Sequence, residues 1–251
     1  MIAGIVGGTK AVGGGSSNDP NWNDVLFLYG FNGADGQTSS TSEGPASIPL
    51  TFVGDAQLDT SQFRFATASL LLDGTDDHVY ATSDDPAAYV FEDRNFTIEM
   101  FIRFVTNPGP ANQVLASSDS PPALFWFMRL TTGNTLEFQY STNGVDMQVG
   151  VSAGWDPAAE TWYHVAVTRD GNLMRMFVDG VLLATNDIGA LTSFNDADGI
   201  KSVLLGAKDS SVPEEFFNGW IDEFRLTLGV AAGVARYTAT FTPPSQPFPR
   251  Q

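Results

Sequence analysis

The sequence predicts an all-β fold, a sandwich of two antiparallel sheets, on three observations. Glu160–Asn186 (ETWYHVAVTRDGNLMRMFVDGVLLATN) holds two turn signals, Asp170-Gly171 and Asp179-Gly180, each between apolar and β-branched runs. An Asp-Gly pair in that setting is among the strongest short-range marks of a two-residue hairpin loop. Phe96–Phe104 alternates cleanly, with Phe96, Ile98, Met100, Ile102 and Phe104 set against Thr97, Glu99, Phe101 and Arg103, which is the period of a strand. Finally, 25 Gly, 14 Pro and 19 Phe in 251 residues suit many short strands joined by tight turns. A chain of this length fits one large β domain with a sufficient core of its own.

Residues 1–23 are glycine-rich and poor in large apolar side chains. They are set apart as an N-terminal arm, flexible or docked on a partner through Ile2, Ile5, Val6 and Val12. Residues 24–251 form the domain. Val25–Phe31 is a continuous apolar run, the first buried strand, and Gly33–Pro49 a polar loop. Leu50–Val53, Ser69–Leu72 and His78–Thr82 follow as strands, the last two flanking an acidic turn. After Phe96–Phe104 come Gln113–Ala116 and Leu124–Leu130, separated by Pro121-Pro122. The apolar residues of Leu124–Leu130 lie on both faces, the mark of a bulge or of cover on both sides. Thr135–Ser141 and Val145–Val151 make a hairpin across Asn143-Gly144, pairing Tyr140 with Met147, Phe138 with Val149 and Leu136 with Val151.

In the central meander, two-residue loops at both Asp-Gly pairs set Val167 against Met174, Val165 against Met176 and Tyr163 against Val178. Beyond the second turn, Val178 faces Val181 and Met176 faces Leu183. These residues share one apolar face, the expected core. The other face carries Trp162, His164, Ala166, Arg175, Phe177, Leu182 and Ala184. A solvated face is more polar than that, so either another layer of chain covers it or it touches a partner. In the last strand, Trp220–Thr227, the alternation opposes Ile221, Glu223 and Arg225 to Trp220, Asp222, Phe224 and Leu226. Between that strand and the tail, Leu228–Ala235 reads as a turn or a single helical turn. The prolines of the FTPPSQPFPRQ tail block ladder pairing and keep it extended.

With 12 Lys+Arg against 29 Asp+Glu, the net charge is -17. That argues against direct contact with a nucleic-acid backbone, which needs a basic footprint, and disfavours an anionic membrane surface. It leaves cation sites, a basic partner or plain solubility. No apolar run approaches the length of about 18 residues that a membrane span needs. MIAGIVGGTKAVGGG has no positive n-region and an apolar run broken by glycines, so it is a poor signal peptide. No cysteine is present, which excludes disulfides and thiolate metal sites.

The sequence carries no nucleophile-elbow, zincin, P-loop or dinucleotide-binding motif. A glycosidase needs two carboxylates facing one cleft; Glu99 offers one, with no ExDxE-like strand to supply its partner. The chain is therefore expected to be non-enzymatic, with His164 a structural histidine. Asp73, Asp76 and Asp77 gather three carboxylates in five residues and, with Asp222, form a candidate calcium set. The spacing is not that of an EF-hand, and an acidic solvated turn is the alternative. For sugar binding the candidate platforms are Phe101, Trp126, Trp155 and Trp162, with Arg103 as a planar donor.

The meander WYHVAVTRDGNLMRMFVDGVLLATN, the strand FTIEMFIRF and the stretch FNGWIDEFRLTLGVAAGVARYTATFTPP together resemble the laminin-G-like, concanavalin-A-like jelly-roll domains. The resemblance runs from Val25 to the C-terminus and implies a two-sheet jelly roll. The ending ARYTATFTPP is similar to forms found in bacteriophage virion proteins. That implies a non-enzymatic module on the surface of a phage particle, displayed for host-surface or glycan attachment in the manner of a tail fibre or spike. Its alternative is a capsid or tail decoration protein anchored by the arm, and a free lectin module is a third. The partners implied are other virion proteins, a host-surface glycan and further copies of the chain.

Overall fold

Fifteen strands and one 3-10 turn, Trp22–Asp24, make up the described secondary structure. The computed structural model describes residues 18–82, 91, 93–106, 111–120, 123–190, 202–208, 212–229 and 235–251. Ile2, Ile5, Val6 and Val12 lie outside them, as do residues 230–234 of the expected turn after the last strand.

The strands are β1 (Val25–Tyr29), β2 (Thr51–Val53), β3 (Gln57–Asp59), β4 (Ser69–Asp73), β5 (His78–Thr82), β6 (Phe96–Phe104), β7 (Gln113–Ser120) and β8 (Ala123–Leu130). They continue with β9 (Thr135–Ser141), β10 (Met147–Gly154), β11 (Trp162–Asp170), β12 (Leu173–Val178), β13 (Val181–Asp187), β14 (Ser202–Leu205) and β15 (Asn218–Leu228). One sheet has eight strands in the order β13-β12-β11-β6-β15-β4-β3, with β1 also on β15; the other has seven, β10-β9-β8-β7-β14-β5-β2. All pairings are antiparallel, giving the expected two-sheet sandwich. The core between the sheets includes Phe27, Phe96, Ile98, Met100, Trp126, Phe138, Val165, Met176 and Phe224, each worth about 1.5–3 kcal/mol on full burial.

The second Asp-Gly turn forms as expected: Asp179 and Gly180 have φ of 47° and 75°, and Val178 faces Val181. The next pairs are displaced by a bulge, which sets Met176 against Ala184 rather than Leu183. The first turn lies one residue further along than expected. Its loop is Gly171-Asn172, with Asp170 opposite Leu173 and Val165 opposite Val178. Of these two residues Gly171 alone has positive φ, 61°, the requirement of a type II′ rather than a type I′ turn. Every partner moves by two residues, so no side chain changes face.

Three further registers carry bulges, and the one in β8 is the first of the two alternatives that its two-faced apolar pattern left open. The Asn143-Gly144 loop is wider, closed by Asn143 Oδ1 accepting the Val145 and Asp146 N–H groups at 2.9 and 2.8 Å. The strands then pair Ser141 with Met147, Phe138 with Val151 and Leu136 with Ala153, which leaves Val149 49% exposed. In β8 the residue skipped by the ladder is Phe125, so Phe125 and the next residue, Trp126, both enter the core. The third difference, in β15, matters most for the site. Ile221 faces the core, Asp222 and Glu223 both face outward, and Phe224, Leu226 and Leu228 return to the core. Glu223 takes a positive φ of 53° at this bulge, where the free edge of β15 passes from β4 to β1.

The outward face of the larger sheet is covered by chain. Val25, Leu28, Phe65, Phe101 and Phe248 form a second apolar cluster there, with Trp22 and Trp162 packed against it. Of the two alternatives for this face, a further layer is what the structure contains, built largely by the tail.

Candidate functional site

The outward face of the eight-stranded sheet divides into a sealed part and an open part. Glu99 of β6 is at the centre of the sealed part. Its Oε1 accepts from Arg225 Nε and Nη2 at 2.9 and 2.7 Å, and its Oε2 from the Tyr237 hydroxyl at 2.8 Å. His164 Nε2 lies 3.1 Å from Oε2; an ionised carboxylate only accepts, so the imidazole proton sits on Nε2. Burial alone would raise the Glu99 carboxyl, but Arg225 and the hydrogen bond from His164 outweigh it and hold it well below the usual range. Burial and the neighbouring Glu99 charge push the Tyr237 hydroxyl up. Asp19 extends the network, accepting from Arg236 Nη1 and Nη2 at 2.8 Å each and from Arg225 Nη1 at 3.0 Å.

Phe248 lies under the Arg225 guanidinium at 3.9 Å, and Phe241 stacks on Tyr237 and stands edge-on to His164. A second clamp holds the end of the chain: Arg250 donates to Glu223 at 2.7 and 2.8 Å and to Glu43 at 2.8 Å, and Phe248 N–H donates to Glu223 at 2.9 Å. Glu99 and His164 are both 0% exposed. This constellation holds the tail on the sheet and presents no acid or base to a solute.

The open part begins four residues further along β6, beyond the buried Phe101. Arg103 is flanked by its cross-strand neighbours Trp162 on β11 and Trp220 on β15, and all three are half-buried. The Arg103 guanidinium lies 5.1 Å from the Trp220 ring. Trp220 is fixed in turn by its indole N–H, which donates to Asp59 Oδ2 at 2.6 Å. The loop between β3 and β4 folds over the adjoining row. The Arg64 and Phe65 N–H groups donate to Asp222 Oδ2 at 2.8 and 2.9 Å. The Phe65 ring stands edge-on to Phe101 at 5.0 Å, and the Arg64 guanidinium lies 4.8 Å from the Phe65 ring and 5.4 Å from that of Phe101. Phe63, in the same loop, is 42% exposed. Arg103 Nη1 and Asp222 Oδ1 are buried with no hydrogen-bond partner among the described residues. Burial, opposed by the Phe65 N–H and aided by the Glu223 charge, pushes the Asp222 carboxyl up to about 7.

The expected site residues scatter. Arg103 lies in the open row. Phe101 is behind it, 2% exposed beneath Phe65 and Phe248. Trp126 is 0% exposed and stacked on Phe138, a place no ligand reaches; the bulge at Phe125 turned it inward. Trp155 packs on Phe104 and Tyr163 beside the main core. The calcium set divides as well. Asp73, Asp76 and Asp77 have ligand atoms within 4.8 Å of one another. Asp222 stands on the outward face, four residues along β15 from the partner of Asp73, about 13 Å of strand. Asp77 uses both oxygens to accept the Asp55 and Asp73 N–H groups, at 2.5 and 3.0 Å, and Asp73 Oδ1 accepts from Thr75 at 2.7 Å. Asp73 and Asp77 thus organise their own turn.

Asp19, Asp59, Arg64, Arg236 and Tyr237 escaped the sequence reading, because they come to the site from a loop, a terminus or, for Asp59, the three-residue edge strand β3. A signal was nonetheless present: a strand face bearing Glu99, His164 and Arg225 together demands cover that supplies partners, and the tail offers Arg236, Tyr237, Phe241 and Phe248.

A family model described as the concanavalin A-like lectin/glucanases superfamily matches residues 73–228. No curated protein matches the sequence significantly. Among solved structures, the chain resembles the binding domain of botulinum neurotoxin DC in complex with rat synaptotagmin II, with a TM-score of 0.63, 17% identity, and coverage of 82% of this chain and 48% of that one. It resembles equally a structure of botulinum neurotoxin type C, whose cell entry depends upon interaction with two ganglioside molecules (TM-score 0.62, 19% identity, 82% and 48% covered). The binding domain of serotype G is a further likeness (TM-score 0.61, 11% identity, 80% and 47% covered). The chain thus spans about half the length of these domains, and at such identities the likeness is one of fold.

Proposed function

The chain belongs to the concanavalin A-like lectin/glucanases superfamily, and from that premise we propose that it is a non-catalytic recognition module that binds a surface glycan. The observation that carries this is the row Trp162–Arg103–Trp220 on the outward face, three half-buried side chains that set two indoles beside a planar donor. Ligand sites of this kind pair apolar rings with a few placed polar groups. The acid–base groups of the same face are sealed and engaged in holding the tail, which favours binding over chemistry. The jelly-roll likeness to toxin domains, one described with a protein receptor and one with gangliosides, supports the same reading. Screening the purified full chain on a glycan array tests it; no signal above background for any glycan would refute it.

The place of display proposed is the surface of a phage particle, in a tail fibre or spike, on the strength of the ARYTATFTPP ending. Decoration of capsid or tail is the second reading. It is favoured by Asp19, whose clamp to Arg225 and Arg236 fixes the point at which residues 1–17 join the domain. Mass spectrometry of purified particles tests the location. Deleting Met1–Gly15 tests the anchor: a folded chain that no longer incorporates supports it, and incorporation at the wild-type level refutes it.

A further inference from the structure

The charges around the open row narrow the class of ligand. In a chain with 29 acidic and 12 basic residues, a cation should find a carboxylate easily. Arg129, Arg175, Lys208, Arg225, Arg236 and Arg250 all do so. Arg64, Arg94 and Arg103 have no carboxylate within ion-pair distance among the described residues, and two of the three, Arg64 and Arg103, lie on this one patch, held by ring faces. Two acids of this face, Asp59 and Asp222, make no ion pair with either arginine, although Asp222 Oδ1 is itself buried without a partner among the described residues. Asp59 accepts from the Trp220 indole and the Ser61 hydroxyl at 2.6 and 2.7 Å, and Asp222 Oδ2 accepts from the backbone of the loop. Arg103 also has a buried Nη1 without a partner, and such a group in a native fold calls for an explanation.

We propose that the Trp162–Arg103–Trp220 row binds a terminal sugar bearing a single carboxylate. This rests on the glycan-binding reading above. The guanidinium of Arg103 presents a planar fork that matches a carboxylate, the exposed Arg64 adds a second positive charge beside it, and the tryptophan faces take the apolar side of the pyranose ring. Asp59 holds Trp220 in its orientation before any ligand arrives. The net charge of -17 acts against a polyanionic chain, whose successive charges would meet the acidic surface around the patch. A lone terminal carboxylate is screened from that field within about 8 Å at physiological salt and meets the two arginines at contact.

The test measures binding of the full chain to five probes by calorimetry: sialyllactose, a disaccharide ending in glucuronic acid, the carboxyl-reduced form of each of these two, and lactose. At least one acidic probe is expected to bind ten times or more tighter than its reduced form, and comparison of the two acidic probes identifies the sugar type. Arg103→Gln should abolish that preference while leaving the melting temperature near wild type. Arg103→Lys, which keeps the charge but loses the fork, should retain part of it. Trp220→Ala should weaken acidic and reduced probes alike. Equal binding of acidic and reduced probes would overturn the carboxylate assignment while leaving glycan binding intact. A preference undiminished in Arg103→Gln would overturn the site. Silence of the wild-type chain towards every probe and every glycan of the array would remove the underlying reading as well.

Discussion

Glu99 accepts two hydrogen bonds from Arg225 on the adjacent strand, at 2.9 and 2.7 Å, across 126 residues of chain. The pair lies under the tail and carries the contacts of Tyr237, Arg236 and Asp19 with it. Glu99→Gln keeps the volume but removes the anion, leaving buried Arg225 with Asp19 alone as counter-charge among the described residues. Breaking a buried pair in this way costs about 3–5 kcal/mol, measurable by chemical denaturation, and residues 235–251 should become sensitive to protease. The carboxyl is depressed below its ordinary 4.5, so its contribution is full above that value and fades as pH falls below it. The loss caused by Glu99→Gln should therefore be large at neutral pH and shrink in acid.

Val165 faces the main core and Ala166 the second apolar layer, and both are 0% exposed. Val165→Asp and Ala166→Asp should be comparably severe, each costing several kcal/mol, on the order of 3 or more. Near-normal melting of Ala166→Asp alone would show that the tail does not cover β11.

Asp222 has its carboxyl raised from 3.8 to about 7, so the native state holds a proton that the unfolded state has released. Stability from this group therefore falls as pH climbs from about 4 to about 7 and is level above that. Asp222→Asn keeps an acceptor for the Arg64 and Phe65 N–H groups and removes the charging cost. Its advantage over wild type should be absent at pH 4 and grow to as much as about 4 kcal/mol at pH 8, read from denaturant midpoints.

Asp77 gives both oxygens to backbone N–H groups and is 1% exposed. Asp77→Ala leaves those donors unsatisfied and should cost about 1–3 kcal/mol. The fall in melting temperature should be the same in millimolar calcium and in chelator; a calcium-dependent difference would assign the turn to a cation.

The faces of β6, β11 and β12 were legible in the sequence because a one-residue displacement of the turn moved every partner by two. Alternation survives such a slip. It does not survive a bulge, and the departures at Phe125, Val149 and β15 are all bulges. The one at Phe125 left a trace in the apolar residues on both faces of Leu124–Leu130, and the one beside Val149 falls at Gly150; the one in β15 left none, since Glu223 takes a left-handed backbone without being glycine. The outward position of Arg103 was readable for the same reason that its strand was. That Trp162 and Trp220 flank it depended on the order β11-β6-β15, which no local pattern encodes. The tail was readable as extended, because proline forbids pairing, but its berth on the sheet is set by contacts more than 100 residues distant, such as Tyr237 on Glu99.

The extra residue in β15 works as a shift of reading frame. Upstream of it odd-numbered positions point to the interior; downstream the even-numbered ones do. Because Glu223 is the inserted unit, a regular strand through the same residues would carry Glu223 and Arg225 between the sheets and turn Phe224 and Leu226 out beneath the tail. Excising Glu223 would keep the alternation, with Phe224 following Asp222 to the interior, but would lose the ion pair with Arg250, the acceptor for the Phe248 N–H and the bend at which the strand edge passes from β4 to β1. One bulged residue thus keeps the two layers of this domain in phase.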